Sequence, residues 1–213
     1  MDEQAVWQVI DEQRRSLALL LDKLTDEQWR HPSLCAGWTV RDVAAHLTLQ
    51  QLGLADLLST MAHWRGSMDR TIAHMARRRA AARSTGQLIA EIRDLAGSHR
   101  PTLGVTHVET LSDILIHAQD IAVPLGLPHD LPAEAAAVSA TRLFTMRWPP
   151  PLPSKRRVTG FHLSATDIAW SHGTGPQVHG PMRALLLTCA GRPVALGELS
   201  GPGVPALTAA LRR

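Results

Sequence analysis

Apolar positions in the first two thirds of the chain recur every three or four residues, which is the period of an amphipathic helix. Over residues 2–24, Val6, Ile10 and Leu17 fall on one stripe, and charged residues fill most of the positions between them. The same period predicts further helices over about 39–63, 68–83, 88–97, 106–123 and 132–146. Together these segments predict a mainly α fold, with a bundle of four or five helices over residues 1–147.

The pattern changes after residue 147. Residues 148–157 begin with Trp-Pro-Pro-Pro-Leu-Pro, a stiff composition that is typical of a linker. Beyond it, apolar and polar residues partly alternate over 158–167, which predicts a strand, and 169–173 could form a second one. Helices are predicted over 178–190 and 207–211. We therefore expect residues 158–213 to form a small α+β domain that follows the bundle.

Composition and charge narrow the class of protein. The chain has 213 residues, of which 45% are hydrophobic and 19% charged, so it has the balance of a globular protein rather than a disordered one. The formal net charge is +3, and part of that surplus lies in the run 77–79 with Arg83 close behind. No interleaved aromatic residues or nucleic-acid motif accompany this run. We interpret it as a solvated helix face and expect no nucleic-acid partner.

The cysteines, the first residues and the lengths of the apolar runs indicate the cellular compartment of the protein. Cys35 and Cys189 are the two cysteines, and they are far apart in the sequence, which gives neither a disulfide framework nor a cysteine-based metal motif. The first residues are acidic and polar, unlike a secretory signal. No apolar run approaches the roughly 20 residues that cross a bilayer. These features predict a cytoplasmic protein without a membrane partner.

Two predicted helices carry candidate metal ligands. His46 has Asp42 and Gln50 four residues to either side, and Asp113 and His117 are also four apart. Residues at this spacing share a helix face, so a carboxylate and an imidazole can reach the same ion. Two imidazoles and one carboxylate are a familiar ligand set for catalytic zinc with an open position, and equally for non-haem iron.

Spacing alone does not decide for a metal. With 11 histidines in the chain, a His/Asp pair at this spacing arises readily by chance. The alternative is that His46 and His117 are hydrogen-bonded core histidines and that Asp113 is a surface or capping acid. The context of Asp113 favours a metal, because apolar residues surround it at 111 and 114–116 and a buried carboxylate needs a partner.

Motifs around these residues resemble a known family. Residues 37–47, GWTVRDVAAHL, look like the helix-two signature of the DinB/YfiT-like superfamily, and more narrowly of the actinobacterial mycothiol-dependent maleylpyruvate isomerases. Residues 113–121, DILIHAQDI, are similar to the second motif of that group. Residues 165–170 and the turn at 191–193 resemble its small C-terminal domain. The resemblance implies a DinB-like helical bundle followed by an α+β domain.

The resemblance also implies a ligand set and cofactors. In that group a carboxylate and a histidine four residues later complete a metal site with the histidine of the first motif, which implies His46, Asp113 and His117 here. The ion would be Zn²⁺, or another divalent metal such as Ni²⁺ or Fe²⁺, and the thiol cofactor would be mycothiol. The isomerases commonly have glutamate at the position of Asp113. Gln50 and Arg192 are predicted to contact the cofactor or a substrate carboxylate, although surface residues of both types are common.

These inferences lead to a functional hypothesis. Because neither cysteine lies in the metal motifs, we expect the nucleophile to come from a low-molecular-weight thiol whose pKa the metal lowers. The predicted enzyme is a mycothiol-dependent isomerase or S-transferase that acts on a small electrophilic substrate. The alternative is a non-catalytic metal-binding or stress-associated regulatory protein of the same superfamily. The superfamily includes dimers, so a homodimer is compatible with the resemblance.

Overall fold

The chain divides into two compact units. The structure, a computed structural model, describes residues 1–51, 63–148 and 152–212. Their contacts separate Asp2–Asp130 from Leu131–Arg213. Helices dominate the first unit, and the second combines helices with a small three-stranded sheet. The predicted fold class, mainly α with a small α+β part towards the C-terminus, is confirmed.

Amphipathic helices build the first unit. In the described residues they are α1 (Glu3–Leu21), α2 (Asp26–Arg30), α3 (Val40–Leu47), α4 (Met68–Ala82), α5 (Thr85–Asp94) and α6 (His107–Ala122). Helix α1 packs against α5 and α6, and α3 packs against α4 and α6. The apolar stripes predicted from the sequence meet in this core, where Ile10, Leu17, Leu115 and Val43 are fully buried.

Reciprocal hydrogen bonds fix the start of α3. The Thr39 hydroxyl accepts a hydrogen bond from the backbone N–H of Asp42 at 3.2 Å, and the Asp42 carboxylate accepts from the backbone N–H of Thr39 at 2.9 Å. This is a capping box, as the spacing of the two residues predicts. Asp42 therefore serves the helix end, although the sequence places it on the same face as His46.

Helix α3 is shorter than its apolar pattern predicts. A helix is predicted over 39–63, but α3 ends at Leu47, and residues 52–62 lie outside the described residues. The Thr48 hydroxyl donates to the carbonyl of Ala45 at 2.8 Å, a local bond that competes with helix continuation. Gln50 consequently lies in a turn rather than one helical turn beyond His46.

The second unit surrounds a sheet of short strands. Its elements are α7 (Ala133–Thr145), α8 (Ser154–Val158), β1 (His162–Ala165), β2 (Ser171–His172), β3 (Gln177–Gly180), α9 (Met182–Cys189), a 3₁₀ helix (Pro193–Glu198) and α10 (Val204–Leu211). Helix α7 packs against α9. The contacts thus divide the chain before α7, whereas the sequence predicts the boundary at residue 147.

The sheet has the order β2-β1-β3. Strand β1 pairs antiparallel with β2, with Leu163 opposite His172, and parallel with β3, with Leu163 opposite Val178. The strand predicted over 158–167 is therefore too long, and the helix predicted over 178–190 begins only after Pro181. Proline fixes the backbone for a first helical turn but cannot donate a hydrogen bond, so it separates β3 from α9.

The predicted linker at 148–157 is helical in its second half. Helix α8 occupies Ser154–Val158, and the Ser154 hydroxyl donates to the carbonyl of Cys189 at 2.7 Å. This bond ties α8 to the end of α9. Residues 149–151 of the predicted linker lie outside the described residues.

Two absences are relevant to the class of protein. Among the described helices, none is long and apolar enough to span a membrane. Within the described residues, neither Cys35 nor Cys189 forms a disulfide.

Candidate metal centre

Three of the predicted ligands converge between α3 and α6. Nε2 of His46 lies 3.3 Å from Oδ1 of Asp113, and Nε2 of His117 lies 3.3 Å from the same oxygen. All three donor atoms lie within 4.8 Å of one another. The two imidazole rings meet edge to face, with centroids 4.9 Å apart. The structure therefore brings together His46, Asp113 and His117.

The helices place these side chains by their period. Asp113 and His117 are one turn apart on α6, while the residues between and beside them, Ile114, Leu115 and Ile116, are buried on the other faces. Helix α3 packs against α6 and carries His46 in its last turn. The ligand set thus needs two helices, and their packing holds it together.

The donor set fits a divalent metal. Zinc–ligand bonds of about 2.0–2.1 Å in a tetrahedron put neighbouring donor atoms about 3.3–3.4 Å apart. The two separations from Asp113 Oδ1 are both 3.3 Å. Imidazole nitrogen and carboxylate oxygen are ligands of zinc, and also of nickel and iron. Three protein donors leave room for an exogenous ligand on the ion.

The centre is reachable from solvent. The side chain of Asp113 is 30% exposed, and those of His46 and His117 are 17% and 15% exposed. Asp113 is therefore only partly buried, less than its apolar neighbours in the sequence lead one to expect. Its apolar neighbours in the sequence point to the other faces of α6, so they do not enclose it. Each of the three side chains therefore retains some exposed surface.

The neighbouring imidazoles favour the ionised form of the Asp113 carboxylate, which is the form that binds a cation. Burial acts to raise the pKa of Asp113, but the imidazoles of His46 and His117 outweigh it and hold this pKa well below its usual value. Burial acts to lower the pKa of His117, yet the carboxylate of Asp113 outweighs it and raises this pKa well above its usual value. Asp113 is thus ionised, and a bound metal would compete with the proton on His117.

A buried carboxylate orients the second histidine. Nδ1 of His117 lies 2.9 Å from Oδ2 of Asp120, whose side chain is fully buried. In the protonated imidazole that the raised pKa indicates, the Nδ1–H group faces Asp120 and the Nε2–H group faces Asp113. Because a carboxylate only accepts hydrogen bonds, Asp120 would retain the Nδ1 proton when Nε2 gives up its own to a metal.

Sequence reasoning missed Cys35 at this centre. Its thiol donates to Oδ2 of Asp120 at 3.0 Å, and Sγ lies 3.6 Å from Nδ1 of His117. The backbone N–H of Leu34 donates to the carbonyl of Asp120 at 3.1 Å, which fixes the loop against α6. Because Cys35 is far from the second motif in the sequence, no local pattern indicates this contact. Its position just before the first motif was the available signal.

Sequence reasoning also missed Arg14. Nε2 of Gln50 donates to Oδ2 of Asp113 at 2.8 Å, and Nη2 of Arg14 donates to Oε1 of Gln50 at 3.2 Å. Gln50, predicted to contact the cofactor, thus contacts a ligand of the candidate centre. Arg14 falls on the apolar stripe of α1 between Ile10 and Leu17, and a charged residue at such a position was a readable signal.

The remaining predicted site residue lies in the second unit. Arg192 precedes the 3₁₀ helix, and its Nη1 donates to the carbonyl of Ala190 at 2.6 Å. This bond is of the kind expected for an arginine in a turn. A role for Arg192 in binding a cofactor or a substrate carboxylate stays a prediction.

Most of the first unit is similar to a known family. Residues 10–109 match the family model described as the mycothiol maleylpyruvate isomerase N-terminal domain. This confirms the resemblance. The matched segment includes His46 and ends four residues before Asp113. No curated protein sequence matches the chain.

Solved structures show a similar fold. A crystal structure of a mycothiol-dependent maleylpyruvate isomerase is 19% identical, with 90% of each chain covered and a TM-score of 0.53. A histidine-to-alanine mutant of an enzyme of the same name is 16% identical, with 90% of each chain covered and a TM-score of 0.55. At these identities the likeness concerns the fold.

Proposed function

We propose that this protein is a metal-dependent enzyme that acts on a small electrophilic substrate with mycothiol, either as an isomerase or as an S-transferase that joins the thiol to the substrate. The observation that carries the proposal is the convergence of His46 Nε2 and His117 Nε2 on Asp113 Oδ1, each at 3.3 Å. The matched N-terminal domain and the names of the two structural neighbours support mycothiol as the thiol.

Each residue of the candidate centre has a separate role in the proposed enzyme. His46, Asp113 and His117 would hold the ion, zinc by preference, with nickel or iron as alternatives. A metal bound there would lower the pKa of a thiol in its open position, as it does for other coordinated thiols. Asp120 keeps His117 in the tautomer that presents Nε2. The partial exposure of the three side chains admits the thiol and its substrate.

The nucleophile is best supplied from outside the chain. Cys189 is buried, and burial raises the pKa of its thiol to about 12, so it stays protonated near neutral pH. The Cys35 thiol donates its hydrogen to Asp120. Addition of the thiol to an activated C=C double bond would form a C–S bond while the π bond breaks and a proton is taken up by the substrate. In an isomerisation, rotation about the resulting single bond followed by loss of the thiol and a proton would restore the double bond. In a transfer, the thiol would displace a leaving group, which departs with its bonding electrons, and would stay on the product.

Metal analysis of the purified protein tests the first half of the proposal. The expected result is close to one equivalent of divalent metal in the wild type, and its loss in His46→Ala and Asp113→Ala. His31→Ala is the matched control, since His31 is exposed and its Nδ1 lies against the carbonyl of Pro32. A wild-type protein that holds no metal, and takes up none on reloading, would contradict the metal centre.

Cobalt substitution tests the second half. Mycothiol should shift the visible absorption of the cobalt-loaded protein, because a sulfur ligand enters the open position, and an unrelated thiol at the same concentration should not. Turnover is then assayed with maleylpyruvate and other small electrophiles. Metal binding without a shift by any thiol would instead favour the non-catalytic, regulatory alternative.

A further inference from the structure

A buried arginine lies behind the candidate metal centre. The side chain of Arg14 is 0% exposed, in the stripe of α1 that also buries Ile10 and Leu17. A charged group in this position is unfavourable unless it is paired and hydrogen-bonded. Nη1 of Arg14 donates to the carbonyl of Leu95 at 2.8 Å, and the Asp11 carboxylate lies 3.7 Å away. Its remaining branch, Nη2, is directed towards the centre.

The arginine determines which way the Gln50 amide faces. A guanidinium can only donate hydrogen bonds, so the group that faces Nη2 of Arg14 at 3.2 Å must be the amide oxygen of Gln50. The amide nitrogen then points the other way and donates to Oδ2 of Asp113 at 2.8 Å. Gln50 is itself buried, and Thr102 Oγ1 donates to its backbone carbonyl at 2.7 Å. Both its side chain and its backbone are therefore held.

This chain of hydrogen bonds distinguishes the two oxygens of Asp113. Oδ2 is engaged by Gln50, whereas Oδ1 faces the imidazoles of His46 and His117 at 3.3 Å each. We propose that Arg14 and Gln50 are positioning residues that make Asp113 a one-oxygen metal ligand and so keep a coordination position open for the thiol. The inference rests on the proposed metal centre, and it adds two residues that the ligand motifs do not contain.

Charge supports the same arrangement. The neutral amide of Gln50 separates the positive guanidinium from the negative carboxylate without adding a charge of its own, and the burial of Arg14 strengthens the interaction across it. A glutamate at position 50 would pair with Arg14 but would place a second carboxylate against Asp113. A leucine would remove both hydrogen bonds and keep a similar volume.

Cobalt titration of matched variants tests the role of Gln50. In Gln50→Leu, Oδ2 of Asp113 is released, so cobalt affinity should fall about 10- to 100-fold, the usual effect of removing a hydrogen-bond partner of a ligand. The visible absorption should also weaken, because a carboxylate that binds through both oxygens raises the coordination number above four. The control is Gln51→Leu, since Gln51 bonds to Ser98 at 3.0 and 2.9 Å, and this variant should keep the wild-type affinity and spectrum.

A double-mutant cycle tests the role of Arg14. Because Arg14 acts through Gln50, Arg14→Met should weaken cobalt binding in the wild-type background and change it little when Gln50 is already leucine. An equal loss in both backgrounds would show that Arg14 only supports the fold. If Arg14→Met does not fold, the Gln50→Leu comparison decides alone: an unchanged spectrum and affinity would overturn the inference. A wild-type protein that binds no cobalt is a different result, because it removes the metal centre itself.

Discussion

The two histidines of the candidate centre are held by different means. Nδ1 of His117 is bonded to the buried carboxylate of Asp120. Nδ1 of His46 is buried and, within the described part of the chain, has no hydrogen-bond partner. The ring of His46 instead packs against the edge of Trp38, with centroids 5.6 Å apart. At the scale of residues, one ligand is therefore oriented by a hydrogen bond and the other by packing.

Replacing Asp120 tests the hydrogen-bonded ligand. In Asp120→Asn the acceptor charge is lost and the preference of His117 for the Nδ1–H tautomer weakens, so metal affinity should fall about 10- to 100-fold. Competition with a chromophoric chelator measures the affinity. Asp22→Asn serves as the control, because Asp22 is exposed at the end of α1. Equal affinities in the two variants would contradict the assigned role of Asp120.

The buried thiol gives a prediction that does not depend on a metal. Because burial raises the pKa of Cys189 to about 12, its thiolate is scarce at pH 8, and access is blocked as well. Iodoacetamide should leave Cys189 unmodified in the native protein and modify it fully in denaturant, as read by mass spectrometry of the peptides. Rapid native modification of Cys189 at pH 8 would show that α9 is not packed as described.

The sequence predicted part of the centre at this scale. The i, i+4 spacing and the motifs selected His46, Asp113 and His117, because a helix face can be read from spacing. Arg14 and Cys35 reach the centre only through tertiary packing, so no local pattern shows whom they contact. For Arg14 the pattern did show an anomaly, a charge at a core position of α1.

At the scale of elements, the capping box of α3 has the largest consequence. Helix α3 has only eight residues, so the hydrogen bonds of its capping box contribute a large part of its stability. Thr39→Ala should lower the free energy of unfolding by about 1 kcal/mol, measured in urea, and should weaken metal binding because His46 moves with α3.

A second capped helix provides the matched comparison. Thr25 makes the same capping box with Gln28 at the start of α2. Thr25→Ala should also cost stability, but it should leave metal affinity unchanged, because α2 carries none of the three ligands. If both variants lost metal affinity equally, the effect would reflect general destabilisation and not the position of His46.

Element boundaries show where sequence patterns fail. One helix start was readable from a threonine followed three residues later by an acidic residue, at Thr39 before α3. Short apolar runs were ambiguous: Val158 ends a helix although it was assigned to a strand, and Val178 lies in a strand although it was assigned to a helix. A run of four or five residues does not contain enough periods to separate the two.

At the scale of the whole molecule, a bound metal should stabilise the fold. The ion would join α3 to α6, and an unfolded chain cannot present the same three donors together. At a free metal concentration 100 times the Kd, the expected gain is about 2.7 kcal/mol. Thermal unfolding with metal and with chelator measures it, and His46→Ala should abolish the difference. An equal difference in that variant would place the stabilising metal elsewhere.

The class of fold was predictable because it depends on the period of apolar residues over whole segments. The position of the boundary between the two units was less predictable from the sequence. The proline-rich composition after residue 147 suggested a boundary there, yet α7 packs with α9 and so belongs with the second unit. Which helix packs with which is a property of side-chain fit, and composition does not contain it.

The division of the ligands between two helices has a kinetic consequence. Asp113 and His117 come from α6, whereas His46 comes from the short helix α3. A brief separation of α3 from α6 would leave a half-site of two donors, from which an ion dissociates easily. Exchange of a metal bound there would therefore proceed by local opening, at a rate set by α3 and without global unfolding. The lifetime of a metal-loaded state would then depend on one eight-residue helix.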